Sequence, residues 1–145
     1  MLTTKGRYAV MALVEMANMN RFIEGGKAIA LQEISENVGI TQAYLEQIFS
    51  KLKAANIVKS QRGPGGGYIF VKPVSELRIS EVIAAAEEEI KITGCGGEAE
   101  KPCISGAKGK CATHDLWEGL GGAINNYLSG VTLEDVVNRK IETRN

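Results

Sequence analysis

Residues 62–67 read Arg62-Gly63-Pro64-Gly65-Gly66-Gly67, and neither a helix nor a central strand can pass through such a run. Glycine has too much backbone freedom to hold a regular element, and proline lacks the N–H that either ladder needs. On either side lie short β-prone runs, Ile57-Val58-Lys59-Ser60-Gln61 and Tyr68-Ile69-Phe70-Val71. Together they predict a hairpin with a loop longer than a two-residue turn. Directly upstream, Thr41 suits the N-cap of a helix through Ala55, whose Leu45, Ile48, Phe49 and Leu52 share one face. Before it, Leu31, Ile34 and Val38 mark a short helix, and Gly39 suits its left-handed close. Two short helices across a glycine-containing turn form a helix-turn-helix; followed at once by a hairpin, they form a winged helix.

The remaining chain is mostly helical in pattern. Ala9, Ala12, Leu13, Met16 and Ala17 repeat with helical period between Thr4 and Met19. Val10, Met11 and Val14 widen that stripe, so most of this helix should be covered; Glu24-Gly25-Gly26 ends the region as a loop. After Pro73, Ser80 can cap a helix running to about Glu89, with Val82, Ile83 and Ala86 inward. Residues 93–111 break all periodicity. A long helix is expected from Ala112 to Leu128, striped by Trp117, Leu120, Ile124 and Tyr127. Gly119, Gly121 and Gly122 lie within it, at about 1 kcal/mol each relative to Ala, which predicts close packing against another helix. Gly130 should stop it, and Thr132 should cap a last turn, Leu133 to Val137. The fold class is therefore mainly α with a small β-hairpin. Residues 1–73 are expected to form a winged helix-turn-helix domain, and residues 74–145 a ligand-bearing loop with dimerisation helices.

Charge divides the same way. The chain is neutral overall, yet residues 1–72 hold nine Lys or Arg against five Glu, and the rest is correspondingly acidic. A basic half suits a polyanion. No apolar stretch approaches the ~18–20 residues of a membrane span. MLTTKGRYAV lacks the layout of a secretory signal, so a cytoplasmic protein with no membrane partner is expected. Three cysteines, an odd number, fit a disulfide framework poorly.

Two constellations carry chemistry. The first is the polar face of the third helix with the loop after it: Thr41, Gln42, Ala43, Glu46, Gln47 and Lys51, then Arg62, Gly63, Pro64 and Gly65. A helix of this kind enters the major groove of duplex DNA. There Gln47 can bond adenine N6 and N7, and Glu46 can accept only from a donor such as cytosine N4. Arg62 suits phosphate or the minor groove, and the glycines let backbone N–H groups approach closely. The second is Cys95-x7-Cys103-x7-Cys111-x2-His114, which uses every cysteine and the single histidine. Three thiolates and an imidazole can complete a tetrahedral zinc site or anchor an iron–sulfur cluster, and a redox disulfide with a spare thiol is a further option. Zinc prefers spacers of two to four residues, whereas seven-residue arms suit a larger cluster. No nucleophile–base pair or paired carboxylates point to an enzyme.

The stretches LTTKGRYAV, YLEQIFSKLKAANIVKSQRGPGGGY, ISEVIAAAEE and CATHDLW closely resemble the IscR family of bacterial winged-helix transcription factors, over roughly residues 1–137. The resemblance implies a homodimer in which the long helix crosses its counterpart, acting on promoter DNA, mainly as a repressor, to control iron–sulfur cluster assembly genes. It implies a [2Fe-2S] cluster on Cys95, Cys103, Cys111 and His114, and a role for Glu46 in choosing which operator class is bound with and without the cluster. The cysteine spacers here exceed the usual five residues. Related nitric-oxide sensors use an N-terminal acid for a [4Fe-4S] cluster, where this chain reads Lys5-Gly6-Arg7-Tyr8. Competing expectations are a zinc-stapled protein-interaction module and a related sensor of nitric oxide or redox state.

Overall fold

The computed structural model describes residues 3–20, 26–87 and 111–141. Its elements run α1 (Thr4–Asn20), α2 (Leu31–Val38), α3 (Gln42–Ala54), β1 (Val58–Gln61), β2 (Gly67–Phe70), α4 (Ile79–Glu87), α5 (His114–Ser129) and α6 (Leu133–Val137). The mainly helical, winged helix-turn-helix class is what the turn chemistry predicts. Gly39 closes α2 at φ +74°, donating its N–H to Ser35 O at 3.0 Å. Two residues on, Thr41 Oγ1 accepts the Tyr44 N–H at 3.3 Å and starts α3. A left-handed closure followed by a side-chain cap makes a three-residue turn between helices.

β1 and β2 pair antiparallel with Val58 opposite Phe70 and Gln61 opposite Gly67. Ile29 adds a rung on the other edge of β2, exchanging backbone hydrogen bonds with Tyr68 at 2.9 and 2.8 Å. Gly67 lies beneath that rung at φ +156°, where any Cβ would collide with the Ile29 carbonyl. The wing is thereby pinned to the segment that enters α2.

One core joins these parts. The α1 stripe (Ala9, Ala12, Leu13, Met16) is wholly buried with Leu45, Phe49 and Leu52 of α3 and Val82 of α4. Phe49 also meets Tyr68 edge-on at 4.9 Å. Each fully buried aliphatic or aromatic side chain contributes about 1.5–3 kcal/mol relative to exposure. The end of the chain returns to this core. Leu133 is fully buried, its N–H bonding Leu77 O at 2.8 Å, while Ile79 N–H bonds Val131 O at 3.0 Å.

Three expectations shift. α4 begins at Ile79, so Ser80 lies inside its first turn rather than capping it. The start is set from outside, because Arg78 bridges to Thr132 and its carbonyl receives the Glu81 and Val82 N–H groups. α5 begins at His114, leaving Ala112 and Thr113 in a turn. On α1, Met11 is exposed. Thr132 does cap α6, in a reciprocal box with Asp135. The expected continuation of α4 to Glu89, the loop at Glu24-Gly25 and nearly all of 93–111 lie outside the described residues.

Candidate functional site

The buried stripe of α3 fixes the opposite face outward, exposing Gln42, Ala43, Glu46 and Gln47, with Thr41 exposed at its start. Arg62, Gly63, Pro64 and Gly65 are exposed at the tip of the wing. Gly63 and Gly65 take φ of +99° and +73°, and Gly66 N–H closes the turn on Gly63 O at 2.9 Å. Lys53 Nζ donates to Ser60 Oγ at 3.0 Å, tying the end of α3 to β1. Expected readers on the helix and the expected backbone contacts on the wing are thus joined through the Lys53–Ser60 bond and the β1–β2 pairing.

Lys51 behaves differently from its neighbours. It is half-buried, and Nζ donates to Ala86 O at 3.4 Å in the last turn of α4. The structure also adds residues that spacing did not offer. Tyr8 meets Tyr44 edge-on at 5.8 Å, which sets the first turns of α1, with exposed Lys5 and Arg7, beside the start of α3. The only sequence signal was two basic residues in a first turn that holds no acid.

Of the four expected ligands, Cys111 and His114 are described, and Cys95 and Cys103 lie outside the described residues. Cys111 is half-buried just before α5. His114 opens the helix at 8% exposure, and its backbone N–H bonds Cys111 O at 3.0 Å. Its Nε2 stands 3.6 Å from Glu118 Oε2, one turn on. Sequence reasoning missed Asp115 and Glu118, which with His114 bring ligand-type atoms within 4.8 Å of one another. The signal was available in the spacing, since residues at i and i+4 share a helix face.

The rest of α5 is unlike any other helix here. Leu116, Trp117, Leu120 and Tyr127 are all exposed. A Cβ added at Gly119 or Gly122 would meet open space, so the close packing expected of those glycines does not occur among the described residues.

The family model described as "Rrf2: Iron-dependent Transcriptional regulator" matches residues 2–139. The chain belongs to the Rrf2 family. Among Rrf2-like relatives it is 48% identical over 139 residues to a Neisseria meningitidis protein provisionally named an HTH-type transcriptional regulator, covering 96% of this chain and 88% of that one. It is 43% identical to the HTH-type transcriptional regulator IscR of Photorhabdus laumondii, covering 96% and 80%. Among solved structures, T. potens IscR superposes with a TM-score of 0.74 at 25% identity, covering 100% of this chain and 93% of that one. This Rrf2 chain is accordingly a DNA-binding transcriptional regulator of IscR-like type, not an enzyme. No helix among the described residues is long and apolar enough to cross a membrane.

Proposed function

We propose that this Rrf2 regulator works in the cytoplasm as a homodimer, mainly as a repressor, and that its affinity for promoter DNA depends on a [2Fe-2S] cluster held by Cys95, Cys103, Cys111 and His114. Its targets are iron–sulfur cluster assembly genes. The observation that carries this is the start of α5. A half-buried thiol and a buried imidazole stand one turn apart, at the foot of a helix whose apolar stripe leaves Trp117, Leu120 and Tyr127 exposed. Soft thiolates with an imidazole are a donor set that iron–sulfur centres accept. When bound, the cluster supplies a redox-labile inorganic link among ligands that are distant in sequence.

The chain's own residues do the rest. Trp117, Leu120, Ile124 and Tyr127 bury against the same stripe of a second copy, which sets the spacing of the two α3 helices against successive major grooves, about 34 Å apart. Thr41, Gln42 and Ala43 bring the start of α3 to the backbone, and Glu46 and Gln47 read base edges. Arg62 with Gly63, Pro64 and Gly65 grips the neighbouring phosphates or minor groove, and Lys51 holds the far end of α3. Regulation is then a difference in DNA-binding free energy between loaded and empty protein.

A second possibility has one observation in its favour: His114, Asp115 and Glu118 offer a nitrogen and two carboxylates for zinc. One anaerobic purification separates them. Visible absorption with iron and acid-labile sulfide supports the cluster, whereas a colourless protein holding one zinc per chain supports a structural staple.

A further inference from the structure

Thr41, Thr113 and Thr132 stand at the N-cap positions of α3, α5 and α6, and Thr113 differs from the other two. Thr41 accepts the Tyr44 N–H and Thr132 accepts the Asp135 N–H, at 3.3 and 3.1 Å, as threonine does at an N-cap. Thr113 precedes α5 yet gives its helix no side-chain cap. Its Oγ1 lies instead 3.1 Å from Nε1 of Trp117 and 3.4 Å from Sγ of Cys111. A single hydroxyl bridges a candidate ligand sulfur to the first aromatic of the partly exposed α5 stripe.

Proton counting sets the direction of both bonds. An indole N–H can only donate, so Thr113 Oγ1 accepts from Trp117. The hydroxyl has one proton, and a sulfur bound as thiolate has none, so the second bond runs from Thr113 O–H to Cys111 Sγ. The Trp117 backbone N–H also bonds Thr113 O at 3.2 Å, keeping the two side chains one turn apart on a common face.

Hydrogen bonds to the sulfurs of an iron–sulfur centre stabilise the extra negative charge of its reduced form and raise its potential. We propose that Thr113, oriented by Trp117, is a positioning residue that hydrogen-bonds the Cys111 sulfur and tunes the reduction potential of the centre it ligates. This rests on the iron–sulfur function proposed above. Trp117 also stands on the stripe that a second copy covers, so subunit association and the ligand sulfur share one hydrogen-bonded path.

The test uses the full chain purified without oxygen, in the wild type and in Thr113→Val, Thr113→Ser and Trp117→Phe. A redox titration followed by absorption gives the potential. The proposal predicts a more negative value for Thr113→Val, a smaller shift of the same sign for Trp117→Phe, and the wild-type value for Thr113→Ser. The chain has one tryptophan, so its single indole N–H resonance in cluster-free protein gives a second readout, moving in Thr113→Val but not in Thr113→Ser. Loading by Thr113→Ser but not by Thr113→Val also supports the proposal. An unmoved potential in loaded Thr113→Val, or a Thr113→Ser variant that behaves like Thr113→Val or fails to load beside it, overturns it. Wild-type protein without iron and sulfide overturns the iron–sulfur function and this proposal together. Loaded wild type with an unmoved Thr113→Val removes Thr113's role alone.

Discussion

Helices α3 and α5 carry the same kind of apolar stripe and meet opposite fates. The 13 residues of α3 bury Leu45, Ile48, Phe49 and Leu52, leaving a polar face outward. The 16 residues of α5 bury only His114, while Leu116 and Tyr127 are 62% and 56% exposed. Periodicity alone told that each helix has an apolar side; it did not tell what covers it. α3 finds its cover within the chain, because α1 and α4 fold over it. α5 touches α4 and packs half-buried Leu128 against the core, yet Leu116, Trp117, Leu120 and Tyr127 stay exposed among the described residues, and an aromatic-rich exposed stripe of this kind marks an interaction surface.

The largest expected effect separates the two helices by stability. Phe49→Ala should lower the unfolding free energy by about 3–5 kcal/mol, whereas Leu120→Ala in dilute protein should stay within about 0.5 kcal/mol. Urea melts of both variants check this, and equal losses would mean that α5 is covered within its own chain. Next, Leu120→Asp should shift the protein from dimer to monomer in sedimentation and remove any dependence of the melting temperature on protein concentration. An unchanged dimer would place the interface elsewhere.

The polar face of α3 yields smaller, more specific effects. Glu46→Ala should alter discrimination at one base pair by about 1–3 kcal/mol while sparing others; a uniform loss across all sites would remove Glu46 from the readers. Arg62→Ala should weaken every site alike and reduce the salt slope by about 1.

The smallest effect lies at α6. The backbone and hydroxyl of Thr132 hold the Asp135 carboxyl below its ordinary range, with Arg78 and Lys140 adding charge. A depressed acid contributes stability above its unfolded pKa and loses it as pH falls through the folded value. Asp135→Asn should therefore be slightly less stable than wild type near neutrality, and the gap should close in acid. Thermal melts across that range check the sign.

Local chemistry was legible wherever a residue meets its own neighbours. Gly39, Thr41 and Thr132 were readable as cap and turn signals because those bonds span three or four positions. The wing was readable because a Pro/Gly run has few alternatives. What escaped depends on distant partners. Ser80 looked like a cap, but the return of residues 131–132 starts α4 two residues earlier than that cap would. Lys51 looked like part of the polar face, but α4 presents a backbone carbonyl to it. Thr113 went unnoticed because its hydroxyl serves a sulfur and an indole rather than the helix it precedes. The ligand set was legible only as a composition: spacing named four residues, and geometry is described for two.

Affinities for a panel of promoter duplexes, measured without oxygen on cluster-loaded protein and on the same preparation after cluster removal, test most directly whether α5 governs α3. Affinities that diverge at some sites and not at others are predicted, with Cys111→Ala matching the emptied protein. Identical affinities across the whole panel in both states would contradict control of DNA binding through the foot of α5.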